Sequence, residues 1–323
     1  AFNKLCVLAG AAVGFAVGHS LGGAVAGLLI GTAVSLCGTV LLLGRLGAPI
    51  AARWDRAWNR ALLAQSLPLV VSWIFWNLYD NQDVVVLAYL GLPSASVGHF
   101  AAAMKLIDAL RGAPVLIAGA VFPILSVGAR DGADHFARVA MFLLRAALSA
   151  ALPVAVAAWA LAPALVRWIY GPGFEPAAGV LRIAGWAVIG IFLNHALINL
   201  LVALDLQRWT VAGAAGAAVV NLAALLILTP PFGLRGAAAS LVISEGVFLA
   251  INIAVLRGHT AGLLGPLALG ALQPLAASGL MGAFLVWVAA AWHPLAAGAA
   301  GLALYVVALA ALGGLRFARW RPA

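Results

Sequence analysis

Five ionisable residues, Asp80, Asp83, Lys105, Asp108 and Arg111, interrupt two consecutive apolar stretches of a chain in which only 8% of residues are charged. A charge near the bilayer centre costs at least roughly 2–3 kcal/mol, so such residues pair with one another or line a polar route. Lys105, Asp108 and Arg111 recur at i, i+3 and i+6 and so share one broad helix face. Cations on such a face suit a central cavity for an anionic substrate, with the acids partly balancing them. The competing reading is a self-neutralising set of structural ion pairs.

If residues 63–90 and 98–126 form an antiparallel hairpin, positions equidistant from the turn share a depth. Asp83 is then level with Lys105, Asp80 with Asp108 and Asn77 with Arg111. At 1.5 Å per residue, Lys105 lies about 10 Å below the outer end and Arg111 about 20 Å, too deep for comfortable snorkelling. Arg145 and Arg182 stand closer to span ends, where each either joins the cavity or reaches headgroups. Glu245, mid-span behind Ser244, reads as a proton or cation site or as an arginine's partner. His195 reads as a hydrogen-bonded contact between helices, and Cys6 and Cys37 as small buried thiols with no metal spacing.

The elements that position these residues are membrane spans. At 65% hydrophobic residues and a mean hydropathy of +1.12, the composition lies far outside that of soluble domains. A spanning helix needs about 20 mostly apolar residues. Spans are expected near 4–18, 21–43, 63–90, 98–126, 139–162, 177–204, 210–229, 236–256, 266–291 and 295–314, so the fold class is an all-α polytopic membrane protein of about ten transmembrane helices. Residues 44–62, with RWDRAWNR (Arg53–Arg60), suit an amphipathic helix lying in the cytoplasmic interface and linking two membrane lobes. Pro68, Pro114, Pro123 and Pro153 fall within spans and offer kinks. The first span is short and the chain starts at Ala1, which leads us to expect that leading helices of a longer protein are missing.

The net charge of +9 orients the chain rather than marking a nucleic-acid binder. With the 44–62 loop inside, the inner segments hold Lys4, Arg45, Arg53, Arg56, Arg60, Arg130, Arg138, Arg208, Arg257, Arg316, Arg319 and Arg321. The outer segments hold only Arg167 and Arg235, a strong positive-inside bias that places the C-terminus in the cytoplasm. No GxxxxGK[ST], HExxH, GxSxG or Cys/His cluster occurs. The chain therefore reads as a transporter and not an enzyme, with no cofactor and no metal.

Four segments, in order, resemble the polysaccharide flippases of the multidrug/oligosaccharidyl-lipid/polysaccharide exporter superfamily. They are DNQDVVVLAYLGLPSASVGHFAAAMKLIDAL (Asp80–Leu110), FPILS (Phe122–Ser126), IYGPGFEPAAGVLRIAGW (Ile169–Trp186) and NLAALLILTPPFGLRGAAASLVISE (Asn221–Glu245). The resemblance implies the later part of a 12–14-helix, two-lobe, alternating-access transporter. On that template residues 1–43 are the last two helices of a first lobe and 44–62 the linker. Residues 63–257 are then a six-helix second lobe, and 258–323 two additional helices with a basic tail.

The implied cargo is an undecaprenyl-diphosphate-linked oligosaccharide, flipped across a bacterial inner membrane for cell-surface polysaccharide synthesis. Lys105, Arg111, Arg145 and Arg182 would then bind the substrate from the cavity, while Asp80, Asp83, Asp108 and Glu245 would serve as cavity acids or coupling groups. Expected partners are the lipid-linked oligosaccharide, the bilayer, a polysaccharide polymerase and glycosyltransferases. Two alternatives stay open: a cation-coupled multidrug exporter of the same superfamily, and a non-transporting subunit of a polysaccharide assembly complex.

Overall fold

The structure is a computed structural model and describes residues 2–45, 60, 81–258 and 264–314. Its contacts separate two compact units, Ala1–Trp73 and Ile74–Ala323. In the first unit, α1 (Phe2–Gly18) and α2 (Leu21–Arg45) form a hairpin. Gly10, Gly14 and Gly18 recur every fourth residue on α1, and Gly23, Gly27 and Gly31 do so on α2. A Cβ on Gly14 would run into the backbone of Gly23, and one on Gly27 into that of Gly10. The missing side chains let the two backbones meet, which in lipid supplies the packing that hydrophobicity cannot. The turn is closed by Ser20, whose hydroxyl accepts the Gly23 N–H at 3.1 Å. The large side chains, among them Leu8, Phe15, Leu29 and Leu41, face outward. Cys37 is exposed and Cys6 half-buried, so the expected pair of buried thiols is corrected: glycines occupy the helix contact instead.

The second unit contains α3 (residues 81–89), α4 (Ser94–Asp131), α5 (Ala133–Tyr170), α6 (Glu175–Ala184), α7 (Ala187–Ala203), α8 (Gln207–Phe232), α9 (Leu234–Arg257), α10 (Leu264–Val288) and α11 (Pro294–Ala311). No strand occurs among the described residues. Six described helices are long and apolar enough to cross a membrane, or seven if α6 and α7 count as one bent span. The chain is an all-α polytopic membrane protein. The reading of about ten spans exceeds this number: α1 has 17 residues, and positions 61–80 lie outside the described residues.

α4 and α5 each run for 38 residues, about 57 Å, and turn over at Gly132 with φ 123. Both stay helical through their prolines, Pro114 and Pro123 in α4 and Pro153 and Pro163 in α5. The break falls elsewhere. The single span expected at 177–204 is two helices, α6 and α7, bent by 47°. At the bend Gly185 packs on α5, where an added Cβ would lie 2.9 Å from the Ala158 Cβ. The hydrogen bonds there tighten to i→i+3, with Trp186 N–H donating to Ile183 O and Val188 N–H to Gly185 O.

One end of this unit carries the Gly171 and Gly233 turns and the 289–293 turn, with Trp168 and Trp292 exposed. There His99 Nε2–H donates to Gly173 O at 3.0 Å, and the Tyr170 hydroxyl donates to Ala102 O at 3.0 Å. These bonds tie the start of α4 to the end of α5. α10 and α11 pack on α5 through Leu161, Met281, Leu285 and Val288, and Tyr305 of α11 donates to Ser149 O at 2.6 Å.

Candidate functional site

α4 positions the central candidates by its two-sided pattern. Phe100, Ala103 and Ile107 are buried on one face, and Lys105, Asp108 and Arg111 stand on the other. The His99–Gly173 bond gives a depth gauge. Counting from it along the helix, Lys105 lies about 9 Å below the turn, Asp108 about 14 Å and Arg111 about 18 Å. The triad thus occupies the first half of the 38-residue α4, with Arg111 near its middle.

Asp108 joins the two cations. Its Oδ2 lies 3.5 Å from Lys105 Nζ, and its Oδ1 lies 3.7 Å from Arg111 Nη1. The side chains are 72%, 41% and 25% exposed for Lys105, Asp108 and Arg111 respectively. Charges this exposed are costly against lipid tails, so within a membrane this face of α4 would need a polar space beside it. Among these contacts, two cations share one acid.

The expected depth-matching of Asp83 with Lys105 does not become a contact. Asp83 is buried and accepts from Asn221 Nδ2 of α8 at 2.7 Å, while Lys105 pairs within its own helix. A carboxyl group in an apolar bundle is met by the nearest amide donor, whereas the long Lys105 side chain stays exposed. Asp80, with Asn77, lies outside the described residues.

Glu245 forms a separate buried centre. Asn194 Nδ2 donates to Glu245 Oε2 at 2.8 Å and to Glu245 O at 3.2 Å. Asn252 Nδ2 donates to Asn194 Oδ1 at 3.1 Å. Both asparagines are fully buried and Glu245 nearly so. The close approach of α7 and α9 that permits this rests on Gly190, where a Cβ would lie 2.8 Å from the Glu245 Cβ. The chain of amides thus runs from Asn252 through Asn194 to the Glu245 carboxyl group.

The remaining candidates are dispersed. Arg145 of α5 lines a recess of about 180 Å³ with Ser149, Gln273 and the backbone of Gly313, against α10 rather than beside Lys105. Its guanidinium packs on Gly270, where a Cβ would lie 2.9 Å from Cζ. Arg182 is exposed on α6. His195 is corrected from an interhelix contact: its Nδ1–H donates to Ile191 O of its own helix at 2.9 Å. Sequence reading missed Asn194 and Asn221 as partners of the acids, and Asn252 as the partner of Asn194. A lone amide inside an apolar run was the available signal, because it too must find a partner in a membrane. Among the described residues no cluster of three or more His, Cys, Asp or Glu could hold a metal ion.

No protein-family model and no curated protein sequence matches the chain. A solved structure described as the lipid II flippase MurJ in an inward closed conformation is similar, with a TM-score of 0.78 and 12% sequence identity. The match takes in 98% of this chain and 67% of that one. At this identity the likeness is one of fold, and it is the kind of transporter fold that the four sequence motifs implied.

Proposed function

We propose that this chain works as a flippase for a lipid-linked oligosaccharide, moving a diphosphate–sugar head across a bacterial inner membrane by alternating access. The observation that carries this reading is the Lys105–Asp108–Arg111 face: two cations bridged by one acid on the solvent-accessible side of a long helix. A diphosphate is the anionic group that such a lipid must carry through the membrane, and guanidinium is suited to phosphate oxygens. The shared fold with a flippase supports the same reading.

In this account Arg111 and Lys105 hold the diphosphate while the polyprenyl tail stays in hydrocarbon. Asp108 prevents the two cations from repelling each other in the empty state. Glu245, bridged to Asn194, serves as a coupling acid within the bundle. Residues 63–257 act as the substrate-bearing lobe, the C-terminus is cytoplasmic, and the partners are the enzymes that build and polymerise the glycan.

The test is polymer export by cells carrying Lys105→Ala or Arg111→Ala. Loss of export at unchanged protein abundance supports the reading. Unchanged export in the double variant refutes it.

A further inference from the structure

A second cationic feature lies away from the α4 face. α5 and α9 both pack on α6, and a groove of about 580 Å³ lies over it. Trp159 of α5, Arg182 and Trp186 of α6, and Arg235 of α9 line it, with Gly179 as its floor. Past Gly179 and Arg235 it continues into a recess of about 470 Å³ that reaches Glu175. α6 packs on α4 and α5 with Ala177, Ala178, Val180, Leu181 and Ala184. Arg182 and Gly179 therefore lie on a different surface from the charged face of α4.

Two observations point to a ligand. Among the described residues no hydrogen bond or ion pair engages Arg182 or Arg235, so two guanidiniums line one cavity with their charge unspent. The groove also sits at the end of the unit where Trp168 and Trp292 are exposed, the pattern of an aromatic belt at a membrane interface. Arg235 is in the first turn of α9, and Arg182 is about 10 Å along α6 from its start. Paired guanidiniums in a pocket between spanning helices suit the oxygens of a phosphate headgroup.

We propose that this groove holds the headgroup of an anionic membrane phospholipid, with Arg182 and Arg235 on the phosphodiester and Trp159 and Trp186 against the glycerol and upper acyl carbons. The site is independent of the flippase reading, because it uses none of the α4 charges.

Native mass spectrometry of the full chain, released from nanodiscs of equal phosphatidylglycerol and phosphatidylcholine, tests it. Wild type is expected to retain phosphatidylglycerol in preference. Arg182→Gln or Arg235→Gln should cut the preference about fivefold each, and both together should remove it. The lysine variants Arg182→Lys and Arg235→Lys should keep most of it. Gly179→Leu, which leaves both cations and fills the floor, should abolish retention. Lys105→Ala with Arg111→Ala should leave the preference intact. Equal retention of the two lipids by wild type would overturn the proposal, as would a preference that survives the double glutamine variant. Displacement of the lipid by millimolar inorganic phosphate would show a free-anion site instead. Loss of the preference only on changing Lys105 and Arg111 would return the binding to the α4 face.

Discussion

The Lys105–Asp108 and Arg111–Asp108 contacts span one helical turn and are partly solvated, the class of ion pair worth about 0–1 kcal/mol. Lys105→Ala is therefore expected to leave abundance and thermal unfolding close to wild type while stopping transport. A fall in folded protein matching the fall in transport would show the triad to be structural. The buried amide–acid centre should behave in the opposite way. Asn194→Ala removes the amide that bonds the Glu245 carboxyl and backbone oxygens, at a cost of about 1–3 kcal/mol, whereas Glu245→Gln keeps an acceptor for Asn194 and should be tolerated. Thermal unfolding in detergent compares the two, and equal destabilisation would contradict the network. The triad was legible because three charges at i, i+3 and i+6 stand out in an apolar run. The Asp83–Asn221 and Glu245–Asn194 pairs were not, because each joins helices distant in sequence, and depth-matching within one hairpin cannot find such partners.

At the scale of elements, glycine decides where helices touch and where they break. Gly27→Val in α2 would drive a branched side chain into the backbone of α1, with an expected cost of about 3 kcal/mol and loss of protease resistance in the hairpin. Unchanged protease resistance would show that the glycines do not set this contact. Gly190→Val should separate α7 from α9 and so loosen the Asn194–Glu245 bonds, which faster amide exchange in α9 would report. The helices themselves were readable from length and hydropathy. The bend at Gly185 was not, because nothing in the local sequence distinguishes this glycine from Gly179 or Gly190. Its effect comes from the contact with Ala158 on another helix. The in-span prolines drew attention for the reverse reason: they break local rules, yet α4 and α5 continue through them.

At the scale of the whole molecule, composition alone established a polytopic helical membrane protein, and motif order pointed to the fold that the structural likeness supports. The proposed orientation rests on the charge bias: a phosphatase fused to the C-terminus should be inactive, and an active fusion would reverse the proposed topology. The central claim is that the α4 face carries an anionic lipid-linked head across the bilayer. It is tested most directly by reconstituting the full-length protein in liposomes with a fluorescent diphosphate-linked oligosaccharide and following the loss of label from the starting leaflet. Wild type is expected to move the label and Arg111→Ala to fail at equal protein density, with Arg111→Lys retaining part of the rate. Equal rates for wild type and Arg111→Ala would contradict the account.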